Sequence, residues 1–272
     1  EEIMAWFGRL SAEEMAARFR PIGIRAEAWV TAQGRPAAKG RDLARDVVVH
    51  GEVRPYLKFF AMQEMDLQFR QHDGRMSAVM NRAALLVGEA VVVLPYDPVR
   101  DCVLLVEQFR APVFMAGDPD PWVWEPVAGL VDPGETPEQA AHREAAEEAG
   151  LSIARLEPAG RVYSSTGSSS EFLNLFVGIA DLPALPKGGG GLDAEGEDIR
   201  SRILSFDELM AGVDGAVYRD MPLVTTALWL ARHRNPAGQL RQTLLELLTV
   251  VVRGGFLDLR LDLRHAALDL VL

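Results

Sequence analysis

Residues 129–151 read GLVDPGETPEQAAHREAAEEAGL, and this stretch decides the fold. Thr136 is of the type that caps helices, and Pro137 follows at the first helical position, where a missing N–H costs nothing. Gly150 supplies the stop. The spacing predicts a helix from Pro137 to Ala149. On it Glu144 and Glu148 stand four apart and Glu147 three from Glu144, so their carboxylates crowd one face and repel. A solvated acidic face is the plain structural reading. It explains neither the glycine-bearing loop upstream nor Arg143 beside the cluster. A hard divalent cation such as Mg²⁺ explains the cluster better, because it takes oxygen ligands and keeps waters for substrate phosphates.

Outward from this helix, strands are expected at Ala90–Leu94 and Val103–Gln108, flanking the turn Tyr96-Asp97-Pro98. Phe109 to Pro121 reads as a loop, Trp122–Pro126 as a short strand and Val131–Gly134 as a turn. Strands follow at Arg155–Tyr163, Phe172–Ile179 and Ile199–Ser205. Pro183 to Asp193, with Gly188–Gly191, reads as a flexible loop. Helices are expected at Phe206–Val213 and Met221–Arg234. Strands and helices alternate, which implies an α/β (α+β) chain with a mixed sheet between helices.

The ends are less regular. Residues 1–20 read as one helix, with a start signal at Ser11, Glu13 and Glu14. Gly34, Pro36 and Gly40 break up residues 21–58, where Asp46–His50 suits a strand. Phe59–Gln71 alternates loosely, and Asp73-Gly74 turns into Met76–Leu86 as a hairpin. After Pro236, Gln239–Arg253 is an apolar helix pattern and Leu257–Leu263 alternates strictly; neither carries chemistry. The expected organisation is an N-terminal extension (1–55), a β-rich arm (56–87), a catalytic domain (88–235) and a C-terminal tail (236–272).

Composition narrows the function. The chain has 272 residues, 49% hydrophobic and 25% charged, values of a globular protein. Its 39 acidic and 28 basic side chains give a net charge of −11, which argues against nucleic acid as a partner. A small phosphate-bearing ligand is still allowed, since a bound cation inverts the local field. Cys102 is the single cysteine. It lies in an apolar run, reads as a small buried hydrophobe, and points to a reducing, cytoplasmic compartment. The chain opens on Glu1 without a readable signal peptide, as a piece of a longer or processed protein would. No apolar run is long enough to span a membrane.

The pattern Gly129-x5-Glu135-x7-Arg143-Glu144-Ala145-x-Glu147-Glu148-x-Gly150-Leu151 resembles the Nudix box at every fixed position. At average usage each glycine or charged position matches by chance roughly one time in ten to twenty, so these seven together are not accidental. Further stretches resemble the ADP-ribose pyrophosphatase branch, including its tellurite-resistance-protein type. These are Val106–Arg110, Pro121–Gly129, Ser165-Thr166-Gly167 with Glu171 downstream, and Glu195–Arg200. The branch usually has Ser-Pro-Gly where this chain has Ser165-Thr166-Gly167.

The resemblance implies a homodimeric, Mg²⁺-dependent hydrolase, Mn²⁺ being the substitute. It implies metal ligands at Glu144, Glu148 and the Ala128 carbonyl, supported by Glu147. Glu135 and Arg143 would pair to fix loop to helix, with Gly129 and Gly150 structural. Glu195 matches the general base, with Glu197 as its rival. Glu171 matches a second substrate- or metal-side carboxylate. Arg110 and Arg82 match arginines that hold the nucleotide, and Phe60 matches an adenine-stacking ring. As plain structure, these arginines are surface residues and Phe60 a core aromatic. In the resembling family the arm swaps across a two-fold axis, so Arg82 and Phe60 are expected to serve the partner's site; the alternative is an arm folded on its own domain. The expected substrate is ADP-ribose. GDP-mannose or NADH is the alternative, and a non-catalytic ADP-ribose sensor the third reading.

Overall fold

The computed structural model describes residues 2–36, 40–183 and 198–234. The expected Gly-rich loop, Glu195, Glu197 and the tail patterns lie outside these residues. The described chain opens with α1 (Glu2–Ala5), α2 (Ala12–Ala16), α3 (Phe19–Gln33) and α4 (Leu43–Asp46). The single helix expected over residues 1–20 is therefore corrected to separate segments. Gly8 takes a positive φ of 72°, and Ser11 starts a new helix through a capping box with Glu14. The α3 helix, with Pro21 in its first turn, was not expected at all.

Next comes a three-stranded antiparallel sheet, β1 (Val47–Leu57), β2 (Ala61–Phe69) and β3 (Met80–Leu86), in the order β1-β2-β3. The expected boundary between residues 55 and 56 falls inside β1. Val48, Val49, Val53, Met62 and Phe69 of this sheet are exposed.

The main sheet contains β4 (Glu89–Asp97), β5 (Cys102–Phe109), β6 (Trp122–Glu125), β7 (Val127–Leu130), β8 (Arg155–Tyr163), β9 (Phe172–Ile179) and β10 (Arg200–Ser205). The order is β10-β5-β4-β9-β8, with β6 on β5 and β7 on β4. The β4–β9 pair is parallel and the others antiparallel, so the sheet is mixed. Three helices follow β5 and later strands: α5 (Ala111–Met115), α6 (Pro137–Ala149) and α7 (Phe206–Asp214). A fourth, α8 (Met221–His233), ends the described chain. Two differences from the sequence reading stand here. The stretch expected as a loop after Phe109 holds α5, and Val127–Leu130 forms a strand too short to show periodicity.

Every residue of β4 is buried, as expected of a strand covered on both faces. Val91 and Val93 join Leu104, Val106 and Phe176 in one core cluster, into which α6 packs Ala140, Ala141 and Ala145. Ala90 and Val92 face the other way, onto Leu173 and Leu175, with Ala128 and Leu130 of β7 beside them. The small alanines let α6 approach the sheet closely, and that brings its glutamates beside β7. Among the described residues no helix is long and apolar enough to cross a membrane.

Gly150 ends α6 in the left-handed region, at φ 62° and ψ 28°. A Cβ there is strained by about 1–2 kcal/mol. Gly150→Ala is expected to lower unfolding stability by about that amount, read as a shifted urea midpoint at unchanged slope.

Candidate active site

The α6 helix begins on a capping box in which the Thr136 hydroxyl accepts from the Gln139 N–H at 3.2 Å and the Gln139 side chain accepts from the Thr136 N–H at 2.8 Å. This fixes where the glutamates fall. Glu144 is 8% exposed and Glu148 2%. Buried carboxylates need compensation, and each receives it. The Arg143 Nη1 donates to Glu144 Oε1 at 2.6 Å and to Glu147 Oε2 at 3.1 Å. The Ala128 backbone N–H donates to Glu148 Oε2 at 3.1 Å.

Arg143 also reaches the loop. Its Nε and Nη2 hold both oxygens of Glu135 at 2.9 Å, and Nη2 donates to the Leu130 carbonyl at 3.0 Å. The bond from Arg143 holds the Glu135 carboxyl below its ordinary pKa, and Glu135 in turn raises that of Arg143. Gly129 lies under Glu144: a Cβ there would stand 1.9 Å from Glu144 Oε1. A Cβ there would push the carboxylate out of this position.

Beside this cluster opens a cleft of about 540 Å³, lined on its signature side by Ala128, Gly129 and Glu144. Phe60, Arg110 and Glu171 line it too. Phe60 is half-buried and packs edge-on to Phe59 at 4.9 Å, so it is not a core aromatic. Arg110 grips Glu125 through Nε and Nη2, at 2.9 and 2.5 Å. Arg82 is elsewhere. It is exposed on β3, opposite Met65, and donates to the Asn81 carbonyl. The Ser165–Gly167 segment forms a turn closed by the Ser165 and Ser168 hydroxyls at 2.9 Å, next to cleft-lining Ser164.

Among the described residues no three acidic, histidine or cysteine side chains converge as a ligand set. Glu144 and Glu147 turn to Arg143, and Glu148 to a backbone N–H. The donor chemistry nevertheless suits a hard divalent cation: buried carboxylates one turn apart, next to backbone, beside an acid-lined cleft, with the Glu144 carboxylate lying over Gly129.

The description "NUDIX domain" matches residues 87–221. The ADP-ribose pyrophosphatase of Escherichia coli K12 is 35% identical over 190 residues, covering 70% of this chain and 90% of that one. The chain belongs to the Nudix family. The ADP-ribose pyrophosphatase of Haemophilus influenzae is 36% identical over 166 residues, covering 60% of this chain and 76% of its own. A GDP-mannose pyrophosphatase from Cronobacter sakazakii is 30% identical, covering 61% and 85%. A solved structure described as an ADP compounds hydrolase superposes with a TM-score of 0.51 at 17% identity, over 69% of this chain and 94% of that one. It agrees with the mixed α/β fold. Nudix ADP-ribose pyrophosphatases generally depend on a divalent metal.

This Nudix cleft contains one acid that the sequence reading did not single out. Asp220 lines it and caps α8, its Oδ2 accepting the Leu223 N–H at 2.7 Å. An Asp before Met221-Pro222 is legible as a helix cap, but its position in the cleft depends on how α8 packs. Burial, reinforced by the charge of Glu125, pushes Asp220 up from 3.8 to about 7. Such an acid binds its proton more tightly folded than unfolded. Its share of stability is complete below pH 3.8 and is lost as pH rises through about 7. Asp220→Asn should escape that loss. In metal-free thermal denaturation, its melting temperature should gain on the wild type between pH 4 and 7 and then run parallel; parallel curves throughout would refute the shift.

Proposed function

We propose that this chain is an Mg²⁺-dependent pyrophosphatase that hydrolyses ADP-ribose to AMP and ribose 5-phosphate. The observation that carries the reading is the single cleft joining Glu144 and Gly129 to Phe60, Arg110 and Glu171. Its size and mixed lining suit a nucleoside diphosphate sugar. The ADP-ribose pyrophosphatases at 35–36% identity support it.

Glu144, Glu148 and the Ala128 carbonyl would hold the cation, with Glu147 as support. When bound, it polarises the phosphoryl oxygens and acidifies the attacking water. Arg143 keeps α6 and the Gly129–Glu135 loop in one register, so the ligands stay aligned. Phe60 offers a face to the adenine, and Arg110 a charge to the phosphates. Glu195, by resemblance, takes the proton of the water. The water oxygen joins one phosphorus, the P–O–P bridge breaks, and the leaving phosphate retains the bridging oxygen.

A panel of ADP-ribose, GDP-mannose and NADH with Mg²⁺ tests this. AMP and ribose 5-phosphate from ADP-ribose at the highest kcat/KM is expected; preference for GDP-mannose would move the chain toward those relatives, and binding without products would make it a sensor. Glu148→Gln should lower turnover by orders of magnitude with the fold intact. Glu195→Gln should lower kcat far more than Glu197→Gln, and the reverse ranking would move the base.

The chain also acts as a homodimer in this reading. The exposed apolar side chains of β1 and β2 are available to such an interface, and Arg82 stands away from its own cleft. Arg82 then serves the partner's nucleotide. Mixing Arg82→Ala with Glu148→Gln subunits, each nearly inactive alone, should regain one working site per mixed dimer. A monomer by light scattering, or no recovery after proven exchange, would sink the shared site.

A further inference from the structure

The α3 helix lies outside residues 87–221, where the Nudix description matches, yet it contacts the loop before α6 and the turn of cleft-lining Phe59, and its Arg20 lines the cleft. On the signature side, Glu27 Oε2 accepts the Gly134 N–H at 3.0 Å. Arg20 Nε donates to Asp132 Oδ1 at 2.7 Å. Gly23 sits so close to Pro133 that a Cβ would stand 2.9 Å from its Cγ. Ile24, 3% exposed, covers Gly88, where a Cβ would come within 2.4 Å of it. On the aromatic side, buried Arg25 is paired with Glu2 at 2.7 Å and donates to the Phe59 carbonyl at 2.5 Å. One helix thus pins the loop before α6 and the turn that carries Phe59 and Phe60.

Arg20 has a further property. Its side chain is 43% exposed and lines the cleft together with Phe60, Gly129 and Glu144. Among the described residues lining the cleft, Arg20 and Arg110 are the basic ones, against Glu125, Glu144, Glu171 and Asp220. Arg110 is gripped bidentately by Glu125. The pair of Arg20 with Asp132 is partly exposed, and an exposed pair is weak enough for a phosphate to compete.

We propose that α3 is an integral wall of the substrate site and that Arg20 is a substrate-binding residue, contacting a phosphate of the nucleoside diphosphate in the cleft. The proposal rests on the pyrophosphatase reading. It assigns to the N-terminal extension a direct share in substrate affinity. Arg25 acts differently, as a positioning residue for the aromatic turn.

The test combines steady-state kinetics on ADP-ribose with Mg²⁺ and calorimetric binding of ADP-ribose to the metal-free protein. Arg20→Ala should raise KM and the metal-free Kd about tenfold, the value of one charge-assisted hydrogen bond, with kcat within about twofold. Arg20→Lys should restore part of the affinity. Glu27→Ala loosens the same helix from the same loop without touching the cleft, and should keep the wild-type KM. An unchanged KM in Arg20→Ala, with the wild type active, overturns the proposal and leaves the pyrophosphatase reading standing. An equal KM rise in Glu27→Ala also overturns it, because Arg20 would then act through the loop. A wild type that neither binds nor hydrolyses ADP-ribose overturns both.

Discussion

The guanidinium of Arg143 is the contact on which the rest of the site depends. It touches the Leu130 carbonyl at the end of β7, Glu135 on the loop, and Glu144 and Glu147 on the helix. Three carboxylates crowded near one cation form a network that Lys could not replace, because a planar fork satisfies several directions at once. Removing one partner of such a part-buried network costs about 3–5 kcal/mol, since charges stay behind unpaired. The arginine therefore does two things with one geometry. It makes an acidic helix face tolerable before any cation arrives, and it locks the register between loop and helix that a cation site requires.

That lock sets demands on neighbouring residues. Glu144 must lie against β7, so residue 129 has no room for a Cβ. The α6 helix must lie close on β4, so its inner face is Ala140, Ala141 and Ala145. Glu148 is 2% exposed and takes the Ala128 N–H, so β7 must present its backbone to the helix. Each is a packing constraint, yet together they place backbone, carboxylate and open cleft within one small volume. Fold and chemistry are not separable here, because the same short strand pairs with β4 and carries the backbone proposed to face the cation.

What was legible in the sequence follows this division between local and tertiary control. The bounds of α6 were readable because Thr136, Pro137 and Gly150 are local signals, and β8 and β9 because their flanking turns are. The continuous helix over residues 1–20 was misread: a capping box at Ser11 outweighs the apolar spacing that runs through Gly8. The α3 helix was hidden because Gly34, Pro36 and Gly40 break up residues 21–58, and because Gly23 gives no apolar signal although Pro133 packs closely against it. Phe60 reaches the cleft and Arg82 does not, although both sat in one hairpin pattern. Their destinations depend on the β2–β3 register and the turn pinned by Arg25, which no short window of sequence encodes. Asp220 was silent for the same reason.

The charge balance carries the last step. The chain has a net charge of −11, and its cleft sets four acids against two arginines, while the proposed substrate is itself an anion. Direct attraction brings the two together only weakly, because like charges in a partly desolvated cleft repel. An added divalent cation reverses the local sign, so the same acids that repel a bare phosphate become the means of holding a chelated one. Affinity and metal are then coupled before any bond breaks. Such a cleft discriminates against anions that arrive without a cation, such as a single carboxylate or an extended nucleic-acid backbone. In the proposed reading it favours a compact pyrophosphate, chelated to a cation that Glu144 and Glu148 would hold. The acidity that argued against nucleic acid from composition alone is thus the property that selects the substrate class.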